Sequence, residues 1–365
     1  MTRKIKILFT IPNFDTAGSG KVVYDLVKGL DKTVFAPEIC CDHDRGSFFE
    51  TVKALGVPIH VFPFTTPYRP YLTFPFRVLK IAHFFKRHRF DLIHSWHWSS
   101  DVSEPLAAKW AGIPFVYTKK AMGWGNKAWV WRSQLSTKII AINSDMGQEF
   151  FTKVAKKVAE IPLGIDVSYF KPLKKTYSIP EDTFTKTDFV IVTIANLVPV
   201  KGIEVLLEAT KQMNDPTIKT LIIGDYKNAY GEDLKKRYES DCIYFLGKQL
   251  DVRPYLAVAD VFVIPTKDEG RKEGLPIAPL EAMASGCIVV GSNISGIKDI
   301  LKDHQVLLFQ PGAIEDLVDK LKFVKDLNVE DTLKLKGAMV QTVQQQFSLD
   351  QCIERHDLLY QSMIR

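Results

Sequence analysis

The chain has 365 residues, 46% of them apolar, and a net charge of +6. That length suits two domains rather than one, and the lack of any run of about 18 apolar residues excludes a membrane-spanning helix. Five scattered cysteines (Cys40, Cys41, Cys242, Cys287, Cys352) give no pair with metal-ligand spacing. The opening "MTRKIKILFT" has no apolar segment or cleavage site of secretory type. A reduced cytoplasm is therefore expected. Charge is uneven: residues 1–165 hold 23 Lys and Arg against 13 Asp and Glu, the rest 25 against 29. The basic half points to an anionic partner such as a membrane surface, or to a chance excess on a solvated surface. Nucleic acid is not expected, because no binding motif accompanies the charge.

In chain order, the strand-like "IKILFTI" (5–11) leads into "FDTAGSGKVVYDL" (14–26). This is not a nucleotide phosphate loop. Asp15 stands where the first glycine belongs, Val22 replaces the hydroxyl residue after Lys21, and Val23 breaks the dinucleotide pattern. Gly18 and Gly20 mark a tight strand-to-helix turn that permits close approach. Further strands are predicted at 35–41, 57–64, 90–96, 114–120, 138–144 and 158–164. In the second half they are predicted at 189–197, 218–225, 242–247, 260–266, 287–292 and 305–311. The runs are continuously apolar, as in strands buried on both faces, and helical spacing lies between them. Parallel, doubly wound α/β sheets follow. The pattern runs down in the Pro- and Lys-rich stretch 162–180. The expected organisation is a first domain at 1–168, a second at 169–348, and a last helix at 349–365 packing back on the first. Two such Rossmann-like domains would face each other across a cleft lined by the carboxyl ends of their strands.

Several loops carry candidate chemistry. "HSWHWSSD" (94–101) follows the fourth strand; Trp96 and Trp98 could stack on a sugar ring and His97 could hydrogen-bond it, or the aromatics pack beneath a loop. Trp124, flanked by glycines in "AMGWGNKAWVWRS", is a further candidate for such a contact. "FPFRVLKIAHFFKRHRF" (74–90) is basic and aromatic. It suits an anionic membrane surface, or is simply the helix before strand four. The most specific string is "EGLPIAPLEAMASG" (273–286). Pro276 and Pro279 place a helix start close to Ile277, and Gly286 places its end. Its free amides favour a phosphate. Glu273 before it and Glu281 on its second turn suit the hydroxyls of a ribose diol and a sugar ring. Lys201, in "ANLVPVKGIEVLLEA" (195–209), would meet the same cleft and balance phosphate charge.

"EGLPIAPLEAMASG" with its two glutamates, "LVPVKG", "AEIPLGIDVSYFKP", "FLGKQLDVRPYLAVADVFVIPT" and the glycine loop "TAGSGKVVYDLVKGL" together resemble glycosyltransferase family 4 over nearly the whole chain. The resemblance implies the two-domain GT-B fold and transfer from a nucleoside diphosphate sugar with retention of anomeric configuration. It implies that Glu281 holds the ribose and Glu273 the donor sugar, with amides around Gly274, Leu275 and Ile277 near the diphosphate. Lys201 would neutralise the leaving group, and the base would sit near Leu246 to Val252. Gly18 and Gly20 would let the first domain close over the diphosphate. The family usually has Arg five positions before the Lys; here it is Asn196, unless Lys248, Lys267 or Lys21 supplies the charge. Where the family often has His after the fifth strand, this chain has Lys120, which could meet a phosphate or sugar oxygen.

"DHD" (42–44) resembles the metal-binding Asp-x-Asp of the other main glycosyltransferase fold, but it lies in the wrong domain for the donor. No other acid or His cluster has ligand spacing, so no metal or cofactor is expected. The expected partners are a nucleotide sugar, a glycan or lipid-linked acceptor, and an anionic membrane surface met by the basic half. The expected role is in surface polysaccharide or lipopolysaccharide synthesis, in the cytoplasm or on the inner membrane face. The alternatives are a GT-B-fold sugar-nucleotide epimerase and a non-catalytic sugar-nucleotide-binding subunit.

Overall fold

The computed structural model describes residues 3–15, 18–174, 185, 187–270 and 274–364. They form two compact units, Met1–Leu163 with Leu349–Arg365, and Gly164–Ser348. The junction falls between Leu163 and Gly164, a few residues before the expected 168 and shortly after β7.

The first unit is built from β1 (Ile5–Thr10), α1 (Gly18–Gly29), β2 (Phe35–Cys41), α2 (Phe49–Lys53), β3 (Ile59–Val61), α3 (Phe74–Arg87) and β4 (Leu92–Ser95). It continues with α4 (Ser103–Ala111), β5 (Phe115–Lys119), α5 (Trp129–Leu135), β6 (Lys138–Ala141), α6 (Ser144–Phe150) and β7 (Val158–Glu160). Its seven strands lie in the order β3-β2-β1-β4-β5-β6-β7, all parallel. Such a sheet is covered on both faces, which is why residues 92–95 and 115–119 are buried without alternation.

The second unit contains β8 (Phe189–Ile194), α7 (Ile203–Met213), β9 (Ile218–Ile223), α8 (Ala229–Tyr238), β10 (Ile243–Gly247), α9 (Arg253–Val258) and β11 (Val261–Ile264). It ends with α10 (Ala278–Ala284), β12 (Ile288–Ser292), α11 (Ile297–Ile300), β13 (Leu308–Phe309), α12 (Ile314–Lys325) and α13 (Val329–Gln346). Its parallel sheet has the order β10-β9-β8-β11-β12-β13. Counted from its own first strand this is 3-2-1-4-5-6, the order that the first unit also shows over its first six strands. Each sheet therefore has a point, between its first and fourth strands, where the chain reverses its direction of winding. Loops diverge there and open a crevice at the carboxyl ends.

The last helix, α14 (Leu349–Ile364), returns to the first unit. Cys352 and Tyr360 join the core around Ile7, Phe9, Val23 and Leu26. The Tyr360 hydroxyl bonds His94 Nδ1 at 2.6 Å, and Nε2 of the same ring lies 2.8 Å from the Thr118 hydroxyl. Both imidazole nitrogens are thus satisfied inside the core. Burial drives the His94 pKa well below its ordinary value. Among the described residues no helix is long and apolar enough to cross a membrane.

Candidate functional site

In the second unit the winding reversal lies between β8 and β11, and a pocket of about 250 Å³ opens there. Its walls are 193–196 at the end of β8 and just beyond, Ile223 and Gly224 at the end of β9, Lys248, Gln249 and Val252 after β10, 264–266 at the end of β11, and 276–278 at the start of α10, with Lys201. Local backbone chemistry places that lysine. Pro199–Lys201 form a short 3-10 turn that closes on Gly202 in the left-handed region, φ 63°. A Cβ at Gly202 would lie 2.1 Å from the Pro265 carbonyl oxygen, so only glycine lets the two loops meet. Lys267 N–H then donates to the Val200 carbonyl at 2.9 Å and ties the loops together. Thr266, also on the wall, is buried, and its hydroxyl has no protein partner.

Of the donor residues expected from sequence, Asn196, Lys201, Val252 and Ile277 line this pocket. Leu246, Gly274, Leu275 and Glu281 do not. Leu246 instead offers its carbonyl to the Gln249 side-chain amide at 2.7 Å, and Gly274 and Leu275 are buried. Glu281 is half-buried on the first turn of α10, one turn earlier than expected, because the helix starts at Ala278. Glu273 lies outside the described residues. Of the lysines that could replace the Arg absent at Asn196, Lys248 lines the pocket. Lys267 pairs with Glu204 and, at 3.6 Å, with Glu269; Lys21 pairs with Asp25 one turn along α1. Gln249 also lines the pocket and falls within the stretch 246–252 expected near the base, whereas Thr193 and Thr266 went unread as site residues. Their only signal was position, at or just beyond the ends of strands.

In the first unit, Lys120 follows β5 and donates from Nζ to the Trp96 carbonyl at 2.6 Å and the Ser19 hydroxyl at 3.1 Å. It thereby joins the loops after β5 and β4 to the first turn of α1. His97 accepts on Nδ1 from the Ser99 N–H at 3.2 Å. The neutral ring therefore carries its proton on Nε2. Burial, with Arg132 and Lys120 nearby, lowers its pKa to about 3. His97, Ser99, Ser100, Asp101 and Asn126 line a polar hollow of about 240 Å³. The Ser100 hydroxyl is buried there without a partner.

Three expectations are corrected here. Trp96 is 1% exposed and belongs to the core, so it offers no face to a sugar. Trp124 is stacked on Trp129 at 5.2 Å, and the Lys119 ammonium lies 3.9 Å from its ring centroid. Its ring is occupied from within the unit. Gly20 is buried, and a Cβ there would lie 2.9 Å from the Phe14 ring. What approaches its backbone is Phe14, whereas Gly18 is exposed at the start of α1. Trp98 does stand out from the surface, stacked against His97.

Folding also assembles a group that spacing did not reveal. Glu38, His60 and His88 bring their potential ligand atoms within 4.8 Å of one another. Lys6 Nζ sits 2.8 Å from Glu38 and donates to the His88 carbonyl at 2.9 Å, while His60 Nε2 meets the other Glu38 oxygen at 2.6 Å. The positive charge at this cluster is supplied by Lys6.

Residues 16–169 match the family model for Glycosyltransferase Family 4, and residues 188–325 match that for Glycosyl transferases group 1. Between them the two segments take in most of the chain. The chain belongs to the family 4 glycosyltransferases. It is 25% identical over 268 residues to the UDP-Gal:alpha-D-GlcNAc-diphosphoundecaprenol alpha-1,3-galactosyltransferase of Escherichia coli, covering 66% of this chain and 68% of that one. To the N,N'-diacetylbacillosaminyl-diphospho-undecaprenol alpha-1,3-N-acetylgalactosaminyltransferase of Campylobacter jejuni subsp. jejuni it is 26% identical, over 80% of each chain. Among solved structures, Anabaena Alr3699/HepE in complex with UDP and glucose matches with a TM-score of 0.77 at 19% identity, over 98% of this chain and 100% of that one. This glycosyltransferase thus has two parallel-sheet α/β domains of the GT-B type.

Proposed function

We propose that this chain is a retaining, metal-independent glycosyltransferase that takes a hexosyl-type sugar from a nucleoside diphosphate. It passes the sugar to a hydroxyl of a glycan or lipid-linked acceptor, in surface polysaccharide or lipopolysaccharide synthesis at the cytoplasmic face of a membrane. The observation that carries the donor assignment is the pocket at the winding reversal of the second unit, with Lys201 on its wall. Ligands of open α/β sheets bind at such points. Lys248 adds a second positive charge, and the orphan Thr266 hydroxyl adds a hydrogen-bonding group awaiting a partner. That one relative by name uses UDP-Gal, that two relatives by name act on diphosphoundecaprenol-linked sugars, and that a structural neighbour binds UDP and glucose, supports the substrate classes.

In this reading Lys201 stabilises charge as the bond between the anomeric carbon and the diphosphate oxygen breaks. The acceptor hydroxyl oxygen bonds to that carbon on the same face, and its proton passes to the departing phosphate oxygen. No protein base is required. Glu281 takes the ribose, Glu273 the donor sugar, Lys120 a phosphate or sugar oxygen, and His97 Nε2–H an acceptor oxygen. A thermal-shift screen of UDP, GDP and ADP tests the donor site, since a ligand of the native state raises its melting temperature. Lys201→Ala is expected to cut turnover at saturating donor by roughly 10²–10³. Near-full turnover in that variant would overturn the assignment, and conversion of the nucleotide sugar without an acceptor would replace it with an epimerase.

A further inference from the structure

The first unit carries an uncovered apolar face at the start of α3. Leu72 is 89% exposed, Phe76 71%, Tyr71 68% and Leu79 51%. Leu72, Phe76 and Leu79 recur at intervals of four and three residues and so form one stripe. The opposite side of the helix already buries Val78, Ile81, Ala82 and Phe85. This helix therefore has two apolar faces, and only one is used by the fold. Clustered exposed apolar groups of this size mark an interaction surface, whereas single ones do not.

Charge identifies the occupant. Residues 65–90 contain six Lys and Arg and no Asp or Glu. Lys80, Lys86 and Arg87 are exposed and extend the outer side of the helix beyond the apolar stripe. A protein interface of mixed polarity gives no reason for a rim of one sign. An anionic bilayer does: long cationic side chains meet the headgroups while Leu72 and Phe76 reach the acyl boundary. The surface is also continuous with the polar hollow. Tyr68, its ring 5.7 Å from that of Phe74, lines an open hollow of about 410 Å³ with Lys127 and Trp131, and it lines the hollow of His97 as well.

We propose that the turn Tyr71–Thr73 and the first two turns of α3 seat the first unit on an anionic lipid bilayer. This deepens the reading of a lipid-linked acceptor and rests on it for its purpose, but its test is independent of transfer. The full chain is floated with phosphatidylcholine vesicles prepared with and without phosphatidylglycerol. It should rise with the anionic vesicles and remain below with the neutral ones. Leu72→Ser with Phe76→Ser, both at exposed positions, should weaken partitioning roughly tenfold or more. Lys80→Glu with Lys86→Glu and Arg87→Glu should weaken it about fivefold or more per cation. The melting shift given by UDP should be the same in all three proteins, because these residues belong to the first unit and the pocket is walled by residues of the second. A wild-type chain that stays below with anionic vesicles, or an L72S/F76S variant that rises with them undiminished, would overturn the proposal. So would a dimer that L72S/F76S converts to monomer, which would assign the face to a second copy of the chain. Flotation without any nucleotide shift would instead overturn the donor reading and leave this surface standing.

Discussion

Gly202 shows how one residue sets the site. Its φ of 63° lies where an L side chain costs about 1–2 kcal/mol, and its α-carbon faces the Pro265 carbonyl at a distance that leaves no room for a methyl group. Gly56 has a similar φ of 69° but open space around it. Gly56→Ala is therefore expected to lower stability by about 1 kcal/mol. Gly202→Ala should cost more, because backbone must move as well, and should abolish the nucleotide-induced melting shift by displacing Lys201. Denaturant unfolding of both variants checks this; equal costs would mean that the loop contact is dispensable. The sequence made Lys201-Gly202 visible as a pair after a strand, but not the reason for the glycine, since Pro265 is distant in the chain. Trp96 and Trp98 teach the same limit. They are neighbours in one loop, yet one is core and one is surface, and only the packed fold distinguishes them.

At the scale of elements, all thirteen described strands fall within runs that could be read from continuous apolar sequence. The readings overran several strands at their carboxyl ends. At β8, β9 and β11 the extra residues, such as Ala195, Gly224 and Thr266, are pocket walls. They continue the small or partly buried run of each strand but leave the ladder to form loops, and composition alone does not separate the two. Side-chain pairing between elements was not legible at all. Arg132 of α5, wholly buried, donates to Glu104 of α4 at 3.1 Å and to the Ser95 hydroxyl at 2.8 Å; Glu104, also wholly buried, accepts from Thr10 as well. Burial pushes the Glu104 carboxyl up against the downward pull of Arg132. The pair ties the ends of β1 and β4 to two helices. Arg132→Met alone would strand a buried carboxylate and should cost about 3–5 kcal/mol. Arg132→Met with Glu104→Leu should recover much of that, because the unpaired charge is gone. A double-mutant cycle measures the coupling, and additive losses would show that the two groups do not act as a pair.

Over the whole molecule, titration separates the two units. Seven of the eight histidines, at 43, 60, 83, 88, 94, 97 and 356, belong to the first; His304 belongs to the second. Burial holds His94 neutral and lowers His356 to about 4 and His97 to about 3. A histidine whose folded pKa lies below 6.5 stays uncharged in the native state while the unfolded chain takes up protons. Stability is then fully present above 6.5 and falls as pH drops from there towards the folded value. For His356 alone the loss between pH 7.5 and pH 5 comes to about 2 kcal/mol, from its pKa of about 4. In the second unit burial lowers the His304 pKa more modestly. Asp215, lowered to about 2 chiefly by its bonds to Thr217, contributes above the ordinary carboxylate range and loses that contribution only in stronger acid. The first unit should therefore open first as pH falls from 7.5 to 5, while the second changes little. Hydrogen exchange followed along the chain resolves the units separately. His356→Gln, which cannot titrate, should shrink the loss in the first unit whatever it does to stability at pH 7.5. Equal acid slopes in the two units, or a slope unchanged by that substitution, would remove the buried imidazoles as the cause.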